Sequence, residues 1–323
     1  MDGKALLNAF SQTEQAELYA AMPNDALVAE VQRRGIEVPA AIGATATDGE
    51  VETSVVIQEI DAETAAKLEA LPAGYRERVS GRYIEKYVAV DRYIRQGKLP
   101  EAYRLPELGV LIEQVEAVAP TFEHMQDKEW EPEVEFAPQG LSREQWNNLL
   151  SGTKPDGSEP LRGNWYGFSG KLIDPTDPAA KTGLWSVDVI SAAERPIFTN
   201  VSKDGKHGRN AKETVKALAE MPGVSATDPA DVIAQVSPSE ATYNSLQLSL
   251  AERAEEQVDL QTWTISKENV KVDEALGSVF QGFNPGYRQV YSNWRYLDGA
   301  YGSSGVRPSA SGQALVFELQ TTA

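Results

Sequence analysis

Apolar residues recur at helical spacing through most of the first 125 positions. In 2–21 the set Leu6, Leu7, Phe10, Leu18 and Tyr19 fits a helix, with Ser11 and Glu14 as a capping box that restarts it after Phe10. Pro23-Asn24-Asp25 opens a second helix that stops at Gly35, and the β-branched run 51–60 predicts a strand. Asp61 caps a helix that ends before Pro72. Over 75–96 the positions Val79, Tyr83, Tyr87, Val90 and Ile94 lie three or four apart on one helix face, and Gly97 ends it. Such a stripe serves either as a ridge for a partner or, more commonly, as packing against its own domain. A further helix is expected over 105–118.

Beyond position 125 the pattern changes. All six tryptophans stand at position 130 or later, Gly and Pro are frequent, and helical stretches are few. The charged, Pro-containing stretch DKEWEPEVEFAP (127–138) reads as a linker or an edge strand, which sets a domain boundary there. The division predicted is a mainly helical domain over 1–125 and a second domain over 126–323. In the second, Ser142 and Gln145 form a capping box for a helix to Leu150. Helices are also expected over 211–220 and from Glu240 to about 257, and a tight turn at Lys203-Asp204-Gly205-Lys206. Short strands are expected over 164–173, 184–190, 261–266, 278–281, 287–292 and 314–320. The fold class is therefore α+β, with short antiparallel strands and long irregular connections.

Composition narrows the function. A net charge of −18 and no basic run longer than Arg33-Arg34 speak against nucleic-acid binding, which relies on clustered Lys and Arg to displace counterions. The absence of cysteine removes disulfides, thiolate nucleophiles and zinc–cysteine or iron–sulfur sites. No secretory signal is visible in MDGKALLNAF and no stretch approaches 18 apolar residues, so membrane insertion is not expected. Cellular location is otherwise left open, with a released virion or a cell surface both compatible.

The two histidines, His124 and His207, sit in no metal-binding motif and read as surface residues. GNWYGFSGK (163–171) fails the phosphate-loop spacing, because Trp165 stands at the first glycine position and Leu172 replaces the hydroxyl residue. DPTDP (174–178) lacks the alternating ladder of a calcium loop. No serine lies in a nucleophile elbow. Neither a catalytic residue, a metal site nor a cofactor is expected, and the chain reads as a binding protein.

The stretch 275–317 carries the strongest signal. Its 43 residues contain no Lys, Glu or Met, and are rich in Tyr, Ser, Gly and Asn. Rigid amphipathic rings and small adaptable polar groups are the side chains of a paratope. The order YRQVYSNWRYLDGAYGSSGVRPS (287–309), followed by ALVFEL (314–319), resembles the variable segment of proteins diversified by diversity-generating retroelements, which carry a C-type-lectin fold. The matching features are Ser292-Asn293-Trp294, the small-residue bridge Gly302-Ser303-Ser304, the closing Gly305-Val306-Arg307-Pro308 and a final strand. The resemblance covers 280–319 well and 140–323 loosely, and the G-V-R-P ending is shared with other bacterial C-type-lectin-like domains.

The resemblance implies that Arg288, Tyr291, Asn293, Arg295, Tyr296, Asp298, Tyr301 and Ser303 are varied, ligand-facing positions. It implies that Trp294, Gly305 and Arg307 are scaffold, with Trp294 packed beneath the face, and that the first and last strands of the domain pair. Replacement of adenines in AAY codons cannot produce Lys, Glu, Gln, Met or Trp, which agrees with the missing residues and with fixed Gln289 and Trp294. The implied ligand is a protein or another cell-surface macromolecule, with residues 1–125 attaching the chain to an oligomer or larger assembly. Calcium-dependent sugar binding is not implied, since Asn284-Pro285 lacks a neighbouring Glu, and the related formylglycine-forming activity would need cysteine. Two other readings remain: a structural or assembly component with no variable site, and a hydrolase built on a carboxylate pair.

Overall fold

A computed structural model describes residues 61–151, 160–165, 184–272 and 275–312. The chain divides into two compact units, 1–59 and 60–323, and every described residue belongs to the second. The elements expected in 2–35 and 51–60, most of 164–173, and the final strand 314–320 with its pairing lie outside the described residues.

The described residues form an α+β fold with antiparallel and mixed sheets. Helix α1 (Ala62–Glu69) begins where the Asp61 carboxylate accepts the Thr64 N–H at 2.8 Å, satisfying a donor that the helix itself cannot. Helix α2 (Ala73–Arg95) matches the periodic stretch read from the sequence. Helix α3 (Leu108–Asp127) runs nine residues past its expected end at Val118, straight through Pro120. Apolar burial of Val115, Val118, Ala119, Phe122 and Met125 outweighs the hydrogen bond that Pro120 cannot donate.

Strand β1 (Pro132–Gln139) follows within the stretch expected as a linker or edge strand, and lies at the edge of its sheet among the described residues. It pairs antiparallel with β3 (Leu184–Ser191), which pairs on its other side with β9 (Ser309–Ser311). Helices α2 and α3 pack on this sheet, and their buried residues share one core with it. The boundary expected at 125/126 falls in the last turn of α3, inside that core.

Helix α4 (Arg143–Leu150) is opened by the Ser142–Gln145 capping box. A second, six-stranded sheet runs in the order β2 (Arg162–Asn164), β7 (Gln289–Tyr296), β6 (Ala275–Asn284), β5 (Trp263–Val272), β8 (Ser304–Val306), β4 (Phe198–Thr199). Pairs β2–β7 and β5–β8 are parallel and the rest antiparallel. Helices α5 (Ala211–Ala219), α6 (Pro229–Val236) and α7 (Glu240–Glu252) connect β4 to β5. No helix among the described residues is long and apolar enough to cross a membrane.

An ionic seam fixes α2 to β1 and α7. Arg82 grips Glu133 with two hydrogen bonds, Nε to Oε1 at 2.9 Å and Nη2 to Oε2 at 2.7 Å. One turn on, Lys86 reaches Glu135 at 3.2 Å and donates to the Ser245 and Ser249 hydroxyls, which themselves donate to Glu135. Arg92 meets Glu252 at 2.5 Å. Burial would raise the Glu133 pKa, but the bonds and charge of Arg82, with Arg78 nearby, hold it below the ordinary 4.5. Its contribution is therefore complete above the ordinary glutamate range and is lost as pH falls through the depressed folded value. Glu133→Gln is expected to lower stability at pH 7 by about 2 kcal/mol. In urea titrations the gap to wild type should narrow steadily below pH 4.5. A gap independent of pH would show that the charge is not what stabilises the seam.

Candidate functional site

The site is built on the β6–β7 hairpin and the loop that follows it. Side chains alternate along β7, so Tyr291, Asn293 and Arg295 share one side of the sheet while Ser292, Trp294 and Tyr296 share the other. On the first side the Tyr291 ring meets Trp263 of β5 edge-on at 5.7 Å. The chain then leaves β7, turns through 297–303 and returns as β8. This loop brings Tyr301 back under Arg295, whose guanidinium carbon lies 5.1 Å from the Tyr301 ring centre. Beside them is a small cavity of about 60 Å³, lined by Asn293, Arg295, Tyr301 and Ser303 together with Trp263, Phe280 and Ser304. Partial burial pulls the Arg295 pKa below the ordinary arginine value, while the Tyr301 hydroxyl opposes that shift.

The loop is held by its backbone. Gly299 N–H donates to Tyr296 O at 3.0 Å, Ser304 N–H to Tyr301 O at 3.1 Å, Trp263 N–H to Ser303 O at 2.8 Å and Asp204 N–H to Leu297 O at 3.1 Å. The Tyr301 and Asp298 side chains take no part in these bonds, and both are exposed.

Four of the eight expected contact residues (Asn293, Arg295, Tyr301 and Ser303) thus line the cavity, and Tyr291 borders it through Trp263. Asn293 is itself buried, its Oδ1 accepting the Trp294 N–H at 2.8 Å. The other three lie elsewhere. Tyr296, 58% exposed, projects on the opposite side of the sheet and stacks edge-on against Trp294 at 5.5 Å. Asp298 is exposed in the loop. Arg288 occupies the β6–β7 turn with φ +49°, about 23 Å along the strand from Arg295. Trp294, expected beneath the contact face, packs on that far side with Val270 and Val279. Trp263, Phe280 and Ser304 were not among the expected residues. They come from three other strands, and only the sheet order unites them.

Just past the end of β8, Arg307 is wholly buried. Nη2 binds Asp259 Oδ1 at 2.9 Å, Nη1 donates to the Ser191 and Ala193 carbonyls at 2.7 Å each, and Nε reaches Thr264 Oγ1 at 3.2 Å. Asp259 also accepts Thr264 Oγ1 at 2.6 Å, Thr262 Oγ1 at 2.9 Å and the Tyr243 hydroxyl at 3.1 Å. This hub ties β3, β5, α7 and the end of β8 together. Gly305 lets β8 meet β4, since a Cβ there would fall 1.9 Å from the Phe198 carbonyl oxygen.

The chain gives no match to protein-family models, to curated proteins or to solved structures. Its own geometry carries the functional reading.

Other reactive groups sit in packed interior. Burial raises the pKa values of Glu135, Asp188 and Glu240, and each carboxylate is met by hydroxyls: Ser245 and Ser249, Ser186 and Thr242, and Ser292 respectively. Burial pulls Lys203 down to about 7. Its ammonium donates to the Ser266 and Lys267 carbonyls, filling the irregularity where the β5–β6 register shifts. None of these groups lines the cavity. Among the described residues no cluster of three or more His, Cys, Asp or Glu is placed to hold a metal. His207 Nδ1 lies 2.9 Å from Asp204 in an exposed turn, and His124 rests edge-on against Trp130.

Proposed function

We propose that this chain is a recognition protein. In this reading it binds a protein or cell-surface macromolecule through the Asn293–Arg295–Tyr301–Ser303 cleft, on a C-type-lectin-like domain whose contact positions a retroelement diversifies. The observation that carries it is a division of labour between adjacent residues. The 297–303 loop is fixed by main-chain hydrogen bonds and runs into β8, whose end is anchored by the buried Arg307, while the Tyr301, Ser303 and Asp298 side chains are exposed and take no part in those main-chain bonds. A surface organised this way accepts many side chains without refolding. The cleft also has the parts of a hot spot, with three aromatic rings, an arginine and small polar groups lining it. Its small volume suits one protruding group of a large ligand better than a whole small molecule.

Two measurements test the reading. Tyr301→Ala, Ser303→Ala and Asp298→Ala are each expected to shift the melting temperature by less than about 2 °C. Losses several times larger at all three would mean that these side chains are structural. Sequencing the gene from a clonal population should find substitutions concentrated in the codons for 284–304, with a near-copy of the codons for 284–309 beside a reverse transcriptase gene. An invariant segment with no such copy would remove diversification and favour a structural component.

A further inference from the structure

Helix α2 has an outward face that its packing among the described residues does not explain. Its inner face is fully used: Tyr75, Val79, Val90 and Tyr93 are buried, and Arg82 and Lys86 reach inward to Glu133 and Glu135. Positions 77, 81, 84, 88, 91 and 95 form a separate stripe, spaced three or four apart, on the solvent side. Charge is expected there, yet its centre is Ile84, 49% exposed, and Val88, 43% exposed. Beside them is Gly81, in mid-helix, where glycine costs about 1 kcal/mol relative to alanine. No described residue lies within 4 Å of the point a Cβ would occupy at Gly81, so no contact among the described residues requires the glycine.

The order of residues along the stripe identifies its occupant. We infer that α2 pairs with α2 of a second copy of this chain, antiparallel about a two-fold axis beside Lys86. In that register Ile84 faces the partner's Val88, Gly81 faces the partner's Asp91, and Glu77 faces the partner's Arg95. Each contact occurs twice, as an isologous interface requires. Glu77 makes no ion pair with any described residue, and Arg95 is bound only to Asp91, one turn away on its own helix, at 2.7 Å. The pairing therefore gives Glu77 a cation and puts opposite charges at both ends of a four-residue apolar centre. A parallel pair would put Glu77 against Glu77 and Arg95 against Arg95. Gly81 lets the two backbones approach where Asp91 arrives. The contact spans about 27 Å of helix, modest for a stable dimer, so it forms reversibly.

The test uses the full chain in sedimentation equilibrium at about 1 to 100 µM, a range that brackets a micromolar dissociation constant. Mass should rise with concentration from 35.2 kDa towards twice that value. Ile84→Glu with Val88→Glu should hold the chain monomeric with an unchanged melting temperature, since both side chains are exposed. Glu77→Arg alone and Arg95→Glu alone should each weaken self-association roughly tenfold by placing like charges together, and the double swap should restore it. Mass fixed at one chain throughout, or a dimer that survives the Ile84 and Val88 changes, overturns the inference. So does failure of the double swap to restore what the single swaps lose. The cleft is separate, so Tyr301→Ala should leave the mass profile unchanged.

Discussion

Replacing Arg307 with alanine is expected to destabilise the protein by about 3 to 5 kcal/mol, the usual loss when one member of a buried ion pair is removed. The guanidinium is wholly buried and gives four hydrogen bonds to four different residues. Its loss leaves Asp259 as a buried carboxylate still held by Thr262, Thr264 and Tyr243 but with no cation. It also leaves the Ser191 and Ala193 carbonyls without the donor they share. Arg307→Lys should recover only part of the loss, because an ammonium carries one compact charge and cannot reproduce the planar fork that meets Asp259 and both carbonyls together. Asp259→Asn should cost less than Arg307→Ala, since the amide oxygen still accepts a bond and arginine tolerates a neutral partner better than a buried carboxylate tolerates none. Urea unfolding at pH 7 measures all three. A loss below about 1 kcal/mol for Arg307→Ala would mean that solvent reaches Asp259 and that the hub does not frame the site.

The helices were legible where a cap or a period marked them. Asp61 opens α1, Ser142 and Gln145 open α4, and the three-and-four spacing of Val79, Tyr83, Tyr87, Val90 and Ile94 marks α2, because these signals act within a turn or two of sequence. The signal for α6 was equally local and was passed over: Asp228 caps it and Pro229 stands at its first turn. Strand β1 shows where local reading fails. Its charges and prolines read as a linker or an edge strand, yet Glu133 and Glu135 are buried, because Arg82 and Lys86, some fifty residues earlier, neutralise them. Partners that distant leave no mark on a short window. The site behaves in the same way. Composition picked out 275–317, but strand alternation divides Arg295 from Tyr296, and only the order β7–β6–β5–β8 brings Phe280, Trp263 and Ser304 to the cavity beside Asn293. The outward stripe of α2 was hidden beside the more conspicuous tyrosines, of which Tyr83 reaches Phe136 edge-on at 5.6 Å and donates to the Pro106 carbonyl.

Changing Gly305 to alanine should cost about 3 kcal/mol, the upper part of the range for overpacking a site that cannot yield. A Cβ there would stand 1.9 Å from the Phe198 carbonyl oxygen and 2.7 Å from Thr199 Cα. Both obstacles are backbone, so no side-chain rotation makes room. Strand β8 cannot retreat from β4 either, because Gly305 also faces Thr264 of β5 on its other edge, and Arg307 two residues on is bonded to Asp259. The strain should release by detaching β4, which is only two residues long and among the described residues pairs only with β8. Amide exchange at Phe198, Thr199 and Asn200 should then rise well before the rest of the sheet opens, since the Asn200 N–H bond to Ser304 O, 2.9 Å long, would go with it. Gly302→Ala is the control, because nothing lies within 4 Å of its Cβ position, and the same methyl group three residues earlier should change stability by less than about 0.5 kcal/mol. Equal effects at the two glycines would mean that β4 and β8 do not approach as closely as this. A large loss at 305 and none at 302 would mark the point where the loop under the cleft stops being exchangeable surface and becomes frame.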